Sequence, residues 1–117
     1  MLSRMDARIK EFTATGAKVI LVLQPPKIYP GVTKQSTDDY SMTARLNSLL
    51  RDVAARHPTT VGVVDLSERV CPGGPPCPTT VAGIDLRTDG EHFGSAGSLY
   101  AAAWLLPKIL QAAHSLH

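Results

Sequence analysis

Lys18-Val19-Ile20-Leu21-Val22-Leu23-Gln24-Pro25-Pro26 carries the clearest structural signal in the chain. Its five central residues are all apolar, with Gly16 before them and two prolines after. A strand with one wet face alternates apolar and polar residues; this run does not, so it predicts a strand buried on both faces, as in parallel sheets. Val61 to Leu66 repeats the pattern and predicts a second such strand.

Working outward, Leu2, Met5, Ile9 and Phe12 recur at three and four residues, which predicts a first helix with one apolar stripe. Gly16 sits where a left-handed cap would end it. Residues 24 to 37 hold three prolines and a glycine and read as a loop. Asp38 and Asp39 suit a helix start, and Met42, Leu46, Leu49, Leu50 and Val53 form the cleanest amphipathic stripe in the chain, ended by Arg56-His57-Pro58. A short extended piece is expected within Val81 to Arg87. The final helix should run from about Ser95 to Ala113, with Ser95 as its cap and Pro107 bending or restarting it. Helix, strand, helix, strand, helix implies parallel connections with helices covering a sheet, hence an α/β fold. Two strands are few for such a sheet, whose faces and edges need cover.

The bulk numbers narrow the function. With 117 residues the chain is a single domain, and its net charge of +2 comes from scattered Lys and Arg. Without a basic stripe a nucleic-acid surface is not expected. The longest apolar run is far too short for a bilayer, and no signal-peptide pattern opens the chain, which predicts a soluble domain. Cys71 and Cys77 bracket Pro72-Gly73-Gly74-Pro75-Pro76. This compact turn favours a disulfide, with free structural thiols as the alternative; a metal would need further ligands that the spacing does not offer, so no metal or cofactor is expected. A disulfide implies an oxidising, extracytoplasmic setting.

Asp89 and His92 stand three residues apart in Arg87-Thr88-Asp89-Gly90-Glu91-His92-Phe93-Gly94-Ser95. A carboxylate so placed can orient an imidazole, which then serves as a general base. With seven Asp and four His in the chain, roughly a quarter of such a pair arises by chance, so the spacing is weak evidence on its own.

The surroundings are more specific. The run Asp89 to Gly97 leading into a helix resembles the last motif block of the SGNH/GDSL hydrolases, and Gly16 to Val22 and Val63 to Leu66 resemble the later strands of that fold. The Cys71-to-Cys77 loop is similar to the SGNH domains fused to family 3 membrane acyltransferases, which modify bacterial surface polysaccharides. The resemblance spans about residues 5 to 112. It implies a three-layer α/β/α flavodoxin-like sandwich with a parallel sheet, represented here by a partial domain whose N-terminal strands are missing. It also implies an esterase or O-acyltransferase acting on acyl esters of cell-surface carbohydrate, with His92 as base and Asp89 as its partner. No Gly-Asp-Ser nucleophile motif occurs in the chain, nor do counterparts of the family's oxyanion-hole blocks.

None of the serines carries the family's Gly-Asp neighbours; Ser67 is the one expected near a strand's C-terminal end, where α/β sites gather. Arg87 is a candidate for binding a substrate oxygen, although a surface salt bridge is the plainer expectation. His57 should gain from the helix dipole alone, Asp65 should cap the turn after its strand, and Tyr29 in the proline-rich loop offers a ring for a sugar. The leading expectation is a domain carrying the Asp-His half of a Ser-His-Asp triad and inactive alone. Its partners would be an acyl-ester or carbohydrate substrate and a membrane acyltransferase domain or an N-terminal half-domain. The rival is a non-catalytic interaction domain complementing a separate N-terminal half. A thiol-redox module is weaker still, since the cysteines lack Cys-x-x-Cys spacing.

Overall fold

The computed structural model describes residues 2–27, 37–74, 77–87 and 91–117. The order is α1 (Leu2–Thr13), β1 (Val19–Leu23), α2 (Thr37–Arg56), β2 (Val61–Asp65), α3 (Ser67–Val70), β3 (Thr80–Val81), β4 (Ile84–Asp85) and α4 (Ser95–His114). β1 and β2 pair in parallel with Val19 opposite Val61 and Leu23 opposite Asp65, and β3 and β4 form a separate antiparallel hairpin. The two unbroken apolar runs are thus the parallel strands, and the fold is α/β as expected.

Helices cover both sheet faces. Ile9 of α1 and Val53 of α2 close on Val61, with Val19 and Leu21 beside them. On the opposite face Leu66, Val70, Leu86 and Ala101 cluster with Val22 and Trp104. This division explains why neither strand could alternate: successive side chains enter different halves of the core. Gly62 belongs to the second face, where a Cβ would lie 3.1 Å from Ile20 Cδ1.

Gly16 ends α1 with φ +95°, and its N–H donates to the Thr13 carbonyl. The α2 stripe is only half buried. Val53 is fully buried, but Met42 is 72% and Leu46 39% exposed. The reason is length: α2 has 20 residues and the strands five each, so about 30 Å of helix overruns about 17 Å of strand. One expectation at α4 is corrected and a second is narrowed. Gly94, not Ser95, occupies the N-cap, and its carbonyl accepts from the Ser98 N–H. Pro107 does not restart the helix, which continues through it; Ala103, whose carbonyl loses its intrahelical donor, lies on the exposed side where water can replace it.

The β3–β4 turn uses Ala82 (φ 51°) and Gly83 (φ 77°), the positive pair that a tight two-residue hairpin requires. Cys71 and Cys77, both buried, are joined by a disulfide, the favoured of the two outcomes read from the loop. Among the described residues no helix is long and apolar enough to cross a membrane.

Candidate functional site at the strand tips

Beyond the C-terminal end of β1 the chain runs through Gln24, Pro25, Pro26 and Lys27. Asn47 of α2 fastens this exit. Its side-chain amide accepts from the Gln24 N–H at 2.9 Å and donates to the Gln24 carbonyl at 2.8 Å. A cavity of about 540 Å³ opens here, lined among others by Gln24, Lys27, Leu46, Arg87, Glu91 and Phe93. The exposed half of the α2 stripe therefore has a place in the molecule: Leu46 and Leu50 form its apolar wall.

Arg87 is only 2% exposed, so it does not lie at the surface, where the plainer expectation had placed it. Its Nη1 donates to the Pro26 carbonyl at 2.8 Å, and its guanidinium carbon lies 6.0 Å from the Phe93 ring centroid. Burial follows from the packing of α4 against the segment before it. Gly97 approaches Leu86 so closely that a Cβ there would run into the Leu86 carbonyl. The glycine of the last motif block is thus a contact point that lets α4 press Leu86, and with it Arg87, toward the strand tips.

His92 is exposed and sits between Glu91 and Phe93, both of which line the cavity. Glu91 pairs with Lys27 at 2.8 Å, so the segment bearing His92 is tied back to the exit of β1. Asp89, its expected partner, lies outside the described residues, as does Tyr29. Ser67 is indeed next to a strand tip. Its N–H and Oγ both donate to Asp65 Oδ1, at 3.0 and 2.6 Å. Asp65 thereby caps the turn into α3 as expected, with Arg51 3.8 Å from its other oxygen. Cys77 also reaches this end of the sheet, its Sγ lying 3.8 Å from the Pro26 carbonyl that Arg87 uses. Among the described residues no group of three His, Cys, Asp or Glu side chains is placed to hold a metal ion.

A His–Asp contact that the sequence reading missed lies elsewhere in the molecule. His57 Nε2 lies 2.9 Å from Asp6 Oδ1, and Arg56 bonds both Asp6 oxygens. The hydrogen bond from His57, opposed by burial and reinforced by Arg56, holds the Asp6 carboxyl below its ordinary value. The carbonyl of His57 accepts from Thr60 N–H, and that of Thr60 from Val19 N–H. This cluster therefore stands at the N-terminal end of the strands and clips α1 to the end of α2. The dipole account of His57 is incomplete, because the two partners are 51 residues apart and no local pattern links them.

The comparisons agree with this architecture. No curated protein and no solved structure gives a significant match. The family model described as "SGNH domain (fused to AT3 domains)" matches residues 2–107. That match takes in both parallel strands, the disulfide loop, the segment of His92 and most of α4, and on it the chain belongs to the SGNH family, a family of esterase- and acyltransferase-type domains, in the group fused to AT3 domains.

Proposed function

We propose that this domain works on acyl esters, acetyl esters in particular, of cell-surface carbohydrate, and that it contributes the Asp89–His92 half of a serine-type site. In such a site the imidazole takes the proton of a serine hydroxyl as the oxygen attacks the ester carbonyl. The carboxylate fixes the tautomer and stabilises the imidazolium, which then protonates the departing alkoxide. The acyl group passes from the serine ester to water or to a sugar hydroxyl. The observation that carries this reading is the position of His92: its two sequence neighbours line a cavity at the C-terminal end of the strands, where α/β sites gather. Arg87 in the cavity wall brings a positive charge to the place where an ester or sugar oxygen would lie.

The chain has no Gly-Asp-Ser motif, and the serine that follows β2, Ser67, is bonded to a carboxylate rather than to an imidazole. These 117 residues alone should therefore be catalytically silent. The Cys71–Cys77 disulfide supports an extracytoplasmic setting for the parent domain, and the family's fusion to AT3 domains supports a membrane acyltransferase as its companion. Purified protein incubated with p-nitrophenyl acetate should release nitrophenol at the buffer rate. Release above that rate, lost both in His92→Ala and on treatment with a serine-directed fluorophosphonate, would mean that a serine of this chain is the nucleophile.

A further inference from the structure

A pocket of about 270 Å³ lies between β2, α3 and α4, lined among others by Val63, Asp65, Glu68, Trp104, Lys108 and Gln111. It shares no lining residue with the strand-tip cavity. Glu68 and Lys108 are exposed, opposite in charge and on the same pocket, yet among the described residues no ion pair joins them. Lys108 instead rests its ammonium 5.7 Å from the centroid of the half-buried Trp104 ring. The main chain contributes as well. The Val19 N–H donates to the Thr60 carbonyl, and the Val61 N–H to that of His57 rather than to β1. Alternation along β2 then turns Gly62 and Val64 toward β1 and leaves the N–H and C=O of Val63 on the pocket side.

An acid and a base that face one space without meeting suit a ligand able to donate to one and accept from the other. A hydroxyl does both. The space holds about nine waters, enough for one sugar ring with its hydroxyls. We propose that this pocket binds one neutral pyranose unit of a glycan, with hydroxyls bridging Glu68 and Lys108 and C–H groups against Trp104. The indole supplies apolar area and a negative ring face that attracts polarised C–H groups. The Gln111 amide, donor and acceptor at once, suits a further hydroxyl. A small zwitterion would answer the two charges but leave the ring and the amide unused. The inference rests on the carbohydrate reading above. Asp65 stands opposite Leu23 in the ladder, and Gln24, the next residue, lines the strand-tip cavity. Pocket and cavity thus open at neighbouring strand ends and can hold successive parts of one glycan.

Trp104 is the single tryptophan of the chain, so its fluorescence reports on this pocket alone. The test titrates the whole 117-residue chain with maltotriose, cellotriose, mannotriose and triacetylchitotriose, each to 20 mM. At least one should give a saturable change, and glycylglycine should give none. Glu68→Ala and Lys108→Met replace exposed side chains, so thermal unfolding should match the parent while the sugar midpoint rises ~10-fold. No change with any of the four sugars, or a midpoint that neither variant moves, overturns the proposal. A glycylglycine midpoint that the variants raise also overturns it and assigns the pocket to a zwitterion. A sugar midpoint indifferent to both variants but raised by Lys27→Ala places the sugar in the strand-tip cavity, which sinks this inference and leaves the carbohydrate reading standing. The titration involves no ester chemistry, so the two readings fail separately.

Discussion

Arg87 donates a hydrogen bond to the carbonyl of Pro26, 61 residues away, and so locks the segment that precedes His92 onto the exit of β1. A buried cation on a main-chain carbonyl holds its geometry better than an exposed ion pair, because water does not compete for it. The cavity owes its wall to this bond. Arg87→Ala should lose ~2 kcal/mol of stability, the range for a charged hydrogen bond removed with its partner left buried. Arg87→Lys should recover less than half of that, since an ammonium cannot reproduce the planar fork. Urea unfolding of the three proteins checks both; Arg87→Ala at parental stability would refute the locking role.

Gly97 is fixed by the Leu86 carbonyl. In an exposed helix, Gly→Ala would gain ~1 kcal/mol from propensity. Here the added Cβ meets backbone that cannot swing away, so Gly97→Ala should instead lose ~1–3 kcal/mol through overpacking. Gly73, whose added Cβ would meet nothing within 4 Å, provides a control: Gly73→Ala should stay within ~0.5 kcal/mol of the parent. A stabilised Gly97→Ala would mean that α4 does not press on Leu86.

Cys71 and Cys77 are six residues apart. Closing so short a loop contributes ~2 kcal/mol in the chain-entropy picture. A reductant should therefore lower the urea midpoint and leave the folded far-ultraviolet dichroism intact, because the core clusters on either side of the sheet do not contain the bridge. The same treatment should have no effect on a Cys71→Ala, Cys77→Ala variant.

Asp6 gives the pH dependence a definite sign. Its folded carboxyl titrates below its ordinary value of 3.8, so the unfolded chain binds the proton more readily. The stabilisation is present above pH ~4 and is lost as pH falls through the lowered folded value. Unfolding temperature should fall more steeply below pH 4 for the parent than for Asp6→Asn, which lacks the titrating group. Parallel curves for the two proteins would remove Asp6 from the acid limb.

Ala82 holds φ 51°, where a side chain is strained. Ala82→Asn, better suited to that conformation, should raise stability by ~0.5–1 kcal/mol. Thermal unfolding reads the gain directly.

Much of this was legible locally. The unbroken run Val19–Leu23 determined a strand buried on both sides, because only a strand between two covered faces needs no polar residue. Gly16 determined the end of α1 through its left-handed backbone. Gly94 to Gly97 signalled the approach to a helix, and the Pro/Gly loop determined that the two cysteines could meet. Tertiary packing decided the rest. Arginine is among the residues least often buried, and nothing near Arg87 in sequence announces Pro26. Asp6 and His57 find each other only because α1 and the end of α2 lie side by side. The α2 stripe promised five core positions, but the short strands beneath it admitted Val53 and left Leu46 to the cavity wall. Periodicity reports what a side chain can face; the length and position of the neighbouring element determine whether anything is there to meet it.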